Sequence, residues 1–243
     1  MSAMKARRHP GRDETRVRSR KLPGGSIGSR GFEVVRSVAI LFSTFTRPWF
    51  VAGGWALDLY LGRVTREHRD IEVAIFREDQ HELRGHLAGW RFQKVVKRRS
   101  LVREAWDGRE WLSLPIHEIH ARGPDENPEL EILLNESKEE NWVFRRNPSV
   151  TLPRSSLGRL ARPRVPYLTP EVVLLYKAGH PSAVDEADFA AVGQALDASQ
   201  RRWLADALAV CYPEHHWLSV LSAVGSRVAG DARDEESGDE TGT

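Results

Sequence analysis

Val51-Ala52-Gly53-Gly54-Trp55-Ala56-Leu57-Asp58, then Gly62-Arg63, then His68-Arg69-Asp70-Ile71-Glu72-Val73 is the stretch on which the reading of this chain turns. Trp49 to Ala52 reads as a short buried strand, broken by Gly53-Gly54 and opening into a compact helix, Trp55 to Leu61, that Gly62 closes. Glycine at such a junction lets backbone amides approach an anion closely, and a helix N-terminus favours negative charge. Ile71 to Phe76 is the next strand, with Ile71, Val73 and Ile75 alternating against Glu72 and Ala74. Side chains two apart in a strand share a face, so Asp70 and Glu72 point the same way. Two carboxylates held together repel, and the pair is tolerable only in solvent or around a cation. Hard oxygen ligands of this kind suit Mg²⁺, which takes one or two carboxylates plus substrate phosphates.

Outward from this core the hydrophobic pattern predicts an α+β body. A helix is expected from Phe32 to Phe45, stopped by Arg47-Pro48, and another from Asp79 to Ala88. Strands are expected at Arg91 to Val96, Leu101 to Trp106, Trp111 to His120 and Glu129 to Leu134. Turns are expected at 97–100, 107–108 and 122–128, and loops at 145–148 and 163–166. From Thr169-Pro170-Glu171 the period becomes helical, with helices to Gly179, from Val184 to Leu196 and from Gln200 to Tyr212. The predicted organisation is a basic arm at 1–30, a mixed-sheet domain with flanking helices at 31–165, a helical cap at 166–228 and an acidic tail at 229–243.

Bulk composition narrows the class. The chain has 243 residues, 40% hydrophobic and 29% charged, which is the balance of a globular protein with a sizeable core. No apolar run approaches the roughly 20 residues that span a bilayer, and no secretory signal is visible, so no membrane partner is expected. The single Cys211 cannot form an internal disulfide and fits a reducing cytoplasm. Nine Lys and Arg crowd residues 1–30, while residues 231–243 carry six Asp and Glu. Both ends lack apolar surface to offset ordering entropy and are expected to be disordered. The basic arm is a candidate contact for nucleic acid, a reading that is not favoured because the body carries little net charge.

The order Gly-Gly-Trp, Gly-Arg, His-x-Asp-x-Glu resembles the polymerase-β-like nucleotidyltransferase superfamily, and within it the aminoglycoside and lincosamide nucleotidyltransferases. Leu130-Glu131-Ile132-Leu133-Leu134-Asn135-Glu136, Pro166 to Glu171 running into Leu175-Tyr176-Lys177, and the segment Asp185 to Phe189 support the match. The resemblance implies that Asp70 and Glu72 are catalytic and hold two Mg²⁺ ions, with ATP or another nucleoside triphosphate as co-substrate. It implies that Glu131 is a third metal ligand and the general base toward an acceptor hydroxyl, with Glu129 as fallback. Gly53, Gly54, Trp55 and Lys177 are then the nucleotide-binding residues. Glu72 departs from the family pattern, which most often has Asp there. A polycationic acceptor implies an acidic pocket, for which Glu136, Glu139, Glu140, Asp185 and Asp188 are the candidates.

Other readings stay open at this level. His117 and His120 invite a zinc site, but in one long strand they face opposite ways. Nucleotide transfer to tRNA or a partner protein is the second reading, motivated by the basic arm. A nucleotide-binding module without catalysis is the third, motivated by Glu72. The tryptophans are expected mostly in the core, with one or two lining a base or acceptor pocket.

Overall fold

The computed structural model describes residues 31–97, 102–124, 129–161 and 164–222. Both expected tails, and parts of the turns at 97–100 and 122–128, lie outside these. The elements up to the first carboxylates are α1 (Glu33–Leu41), β1 (Trp49–Val51), α2 (Gly53–Leu61) and β2 (Ile71–Phe76). Next come α3 (Gln80–His86), β3 (Arg91–Lys97), β4 (Val102–Ala105), β5 (Glu118–Arg122) and β6 (Leu130–Lys138). The hairpins β7 (Asn141–Val143) with β8 (Thr151–Pro153) and β9 (Gly158–Ala161) with β10 (Val165–Leu168) precede the helices α4 (Pro170–Ala178), α5 (Ala183–Val192) and α6 (Ala198–Cys211).

The strands make one sheet in the order β4-β3-β5-β6-β2-β1-β10-β9, with β7 and β8 continuing from the far end of β6. β2 runs parallel to β6, and β1 parallel to β10; the remaining pairs are antiparallel. The central strands bury one face almost completely, through Val51, Val73, Ile75, Leu130, Ile132 and Ile119. That leaves the alternate positions of the same strands for polar work. The fold is α+β, a mixed sheet with flanking helices, as the pattern predicts.

Differences from the predicted elements have local causes. α1 stops at Leu41 because Phe45 turns back to meet Phe42 edge-on, with ring centroids 5.6 Å apart. The strand expected over Trp111 to His120 begins only at Glu118. Before it, Pro115 lacks an amide donor, and side chains take the backbone bonds instead. Leu112 donates to Gln80 Oε1 (2.7 Å), and Arg77 donates to the carbonyls of Leu112 (2.8 Å) and Ile116 (2.7 Å). The segment 163–166, expected as a loop, in part enters β10, where Tyr167 pairs with Val51 and Pro166 with Leu160. The sheet therefore reaches Leu168, three residues past the expected boundary of the helical part. Capping boxes, Ser182 with Asp185 and Asp197 with Gln200, start α5 and α6.

Candidate active site

The glycine turn is built around a carboxylate. Ala52 is extended, Gly53 has φ +58°, and the Ala52 amide donates to the Glu72 carbonyl at 2.8 Å, tying the turn to β2. A Cβ on Gly53 would overlap the Glu72 carboxylate, and one on Gly54 would strike Arg66 and His68. Glycine is needed at Gly53 twice over, for its left-handed backbone and for this close approach. The N-terminus of α2 and the Glu72 carboxylate are thus neighbours.

A buried network holds the approach to β2. Asp58, 1% exposed, accepts from His68 Nε2 at 2.5 Å and from the Thr65 hydroxyl and amide at 2.5 and 3.1 Å. The His68 ring lies 4.3 Å from that of Trp55. Arg66 forks onto Asp188 of α5 with bonds of 2.9 and 3.0 Å. These contacts fix residues 63–70, and so Asp70, relative to the sheet.

Glu72 and Glu131 are register partners on the parallel strands β2 and β6, so both carboxylates leave the same face side by side. Asp70 stands at the exposed entrance to β2, close enough to act on Glu131. Burial raises the Glu131 carboxyl to about 7, and the charges of Glu118 and Asp70, with Glu72 adding, push the same way against His120. Glu72 and Glu131 are thus adjacent, with Asp70 two residues before Glu72 at the strand entrance.

Two further residues stand there: Glu118, not singled out from the sequence, and His120, weighed there only as a zinc ligand. His120 is the antiparallel partner of Glu131, and Glu118 shares its face on β5. His120 Nε2 is 2.9 Å from Glu118 Oε1 and 3.8 Å from Glu131 Oε1. Burial lowers the affinity of His120 for its proton, but Glu118 and Glu131 outweigh it and leave the imidazole more basic than usual. Potential ligand atoms of Glu118, His120 and Glu131 all lie within 4.8 Å of one another. The expected opposition of His117 and His120 does not apply, because β5 begins after His117. The signal that would have found this pair is Glu118-Ile119-His120, an alternation already present at the end of the expected strand.

The other expected residues divide. Lys177 Nζ is 2.6 Å from Asp185 and 2.9 Å from Asp188. Burial opposes its charge, yet the two carboxylates hold it protonated more firmly than an ordinary lysine. Gly53, Glu72, Glu118, Tyr176 and Lys177 line a cavity of about 700 Å³ between the sheet and α4. Gly54 and Trp55 are not among its lining residues; Trp55 is 7% exposed and packs in the core. Glu129, the fallback base, is bound by Arg122 at 2.6 Å and Arg103 at 3.3 Å. Burial raises its carboxyl, but Arg122 and then Arg103 bring it below the ordinary range. Of the carboxylates expected to make a pocket acidic, Asp185 lines this cavity beside Glu72 and Glu118, Glu136 pairs with Arg77 at 2.6 Å, and Asp185 and Asp188 are held by Lys177 and Arg66.

A glycine turn beside clustered carboxylates on the central strands of a mixed sheet defines a protein of nucleotidyltransferase type. The chain belongs to the aminoglycoside-2''-adenylyltransferase family, whose model matches residues 34–192. A 2''-aminoglycoside nucleotidyltransferase of Escherichia coli is 50% identical over 36 residues, 15% of this chain, and one of Klebsiella pneumoniae matches equally. That stretch covers only a fifth of those relatives' length. Among solved structures, ANT(2'')-Ia in complex with adenylyl-2''-tobramycin is 20% identical, covering 72% of this chain and 95% of its own, with a TM-score of 0.48. The lincomycin-bound lincosamide adenylyltransferase LnuA is 18% identical, covering 66% and 94%, with a TM-score of 0.46.

Proposed function

We propose that this protein transfers a nucleoside monophosphate from a nucleoside triphosphate, in the first instance ATP, to a hydroxyl of a small-molecule acceptor in the cytoplasm. The acceptor class that family membership suggests is an antibiotic. The observation that carries the reading is the direct pairing of Glu72 with Glu131 on β2 and β6, with Asp70 at the strand entrance and the Gly53 turn against Glu72.

The donor set fits divalent metal. Asp70, Glu72 and Glu131 offer hard carboxylate oxygens, and burial, with the charges of Glu118, Asp70 and Glu72 adding, disfavours the ionised Glu131 that a cation would stabilise. These three residues would hold Mg²⁺, two ions in the full arrangement. When bound, the metal supplies charge neutralisation at the phosphate oxygens. The α2 N-terminus and Lys177 suit the triphosphate as dipole and point charge. In the reaction the acceptor oxygen forms a bond to the α-phosphorus. The bond to the β-phosphate oxygen breaks, pyrophosphate departs, and the hydroxyl proton passes to Glu131.

Pyrophosphate release with Mg-ATP across tobramycin, lincomycin and other hydroxylated acceptors tests this. Release that Asp70→Asn abolishes is expected. Silence with every acceptor, together with failure to bind Mg-ATP, would reject it.

A further inference from the structure

Glu118, His120 and Glu131 make a compact donor set on adjacent strands. His120 on β5 pairs with Glu131 on β6, and Glu118 stands two residues before His120 on the same face. His120 Nε2 is 2.9 Å from Glu118 Oε1 and 3.8 Å from Glu131 Oε1. Two atoms that each bind one Zn²⁺ at about 2 Å stand at most about 4 Å apart, so both separations already suit a shared ion. The two carboxylates offer oxygens within 4.8 Å of each other, a gap that side-chain rotation closes without moving either strand.

The surroundings favour an ion with affinity for nitrogen. Imidazole suits Zn²⁺ and related transition metals, whereas Mg²⁺ takes oxygen ligands. At the other ring nitrogen, Nδ1, a Glu129 oxygen stands 3.4 Å away, and Arg122 and Arg103 hold Glu129 in turn. A carboxylate in that position supports a metal-bound histidine by fixing its ring and tautomer. Glu118 and His120 are buried, yet Glu118 also lines the cavity that contains Glu72, which gives an ion a way in. We propose that Glu118, His120 and Glu131 bind a transition-metal ion of the Zn²⁺ type, at a site separate from the Asp70 and Glu72 pair and joined to it through Glu131. Without that ion, His120 as an imidazolium pairs with both carboxylates; the ion takes the place of its Nε2 proton. This site does not depend on the nucleotidyl-transfer reading.

The test is a Zn²⁺ titration of the full-length protein, stripped with EDTA, desalted and held in excess Mg²⁺. Imidazole ¹⁵N NMR and competition with a chromogenic chelator follow it. The His120 Nε2 resonance, assigned with His120→Gln, should lose its proton and move to the metal-bound position with Zn²⁺, and stay unmoved by Mg²⁺ alone. Glu118→Gln and Glu129→Gln should each lower Zn²⁺ affinity at least about tenfold. Asp70→Asn should leave the Zn²⁺-induced shift of His120 in place. A His120 Nε2 that keeps its proton at saturating Zn²⁺ in the wild type overturns the proposal, as does Zn²⁺ binding that Glu118→Gln and His120→Gln leave unchanged. Failure of the wild type to bind Mg-ATP rejects the nucleotide reading, while the His120 resonance decides this one by itself.

Discussion

Glu131→Gln should stabilise the metal-free protein at neutral and alkaline pH while abolishing transfer. Moving a carboxyl from 4.5 to about 7 disfavours its charged form by about 3 kcal/mol, at about 1.4 kcal/mol per pH unit. The side chain is 23% exposed, so solvent screens part of this, and about 1–2 kcal/mol should reach the folding equilibrium. The sign follows from proton linkage: the folded state holds the Glu131 proton more tightly than the unfolded chain does. Its penalty is therefore small below 4.5, grows as pH rises, and is complete above about 7. Urea unfolding of wild type and Glu131→Gln in EDTA, at pH 4.5 and pH 8, measures it. The variant should match wild type at the lower pH and exceed it by about 1–2 kcal/mol at the higher, a rise in Tm of about 3–6 °C. Added Mg²⁺ should raise the Tm of wild type more than that of the variant. A variant no more stable than wild type at pH 8 would refute the claim that burial and the Glu118 and Asp70 charges destabilise this carboxylate.

Gly53→Ala forces a Cβ into the Glu72 carboxylate at φ +58°, so transfer should fall at least about a hundredfold, with about 1–2 kcal/mol lost on chemical denaturation. Asp70→Asn should eliminate turnover with an unchanged circular dichroism spectrum, because Asp70 is exposed at a strand entrance. Asp58→Ala leaves His68 and Thr65 without their buried acceptor and should cost about 3–5 kcal/mol, read from urea unfolding. Deleting residues 1–30 should leave small-molecule transfer intact, as a pyrophosphate assay would show; loss of that activity would favour a macromolecular acceptor.

Local chemistry was legible wherever neighbours in the chain carry it. The strand–glycine–helix junction at Val51 to Asp58, the closing Gly62 and the whole of β2 follow from short-range pattern, and β2 begins and ends at the expected residues. The expectation that Asp70 and Glu72 share a face follows from the period of two alone, though Asp70 stands just before β2. The region after β6 was harder, because β7 to β10 are three or four residues long and exist only through their pairing. Val165 and Pro166 read as a loop until β1 and β9 supply the partners.

By itself the sequence determined an α+β chain with a phosphate-type turn beside Asp70 and Glu72, since both features depend on residues a few positions apart. Only the tertiary structure decided that Glu131 pairs with Glu72, that Glu118 and His120 flank it, and that Glu136, Asp185 and Asp188 pair with Arg77, Lys177 and Arg66. Register between strands sets the first two, across more than fifty residues for β2 with β6 and across a short connection for β5 with β6. The third arises because the charge on a pocket wall depends on which side chains have already found partners across the fold, and no spacing along the chain records that.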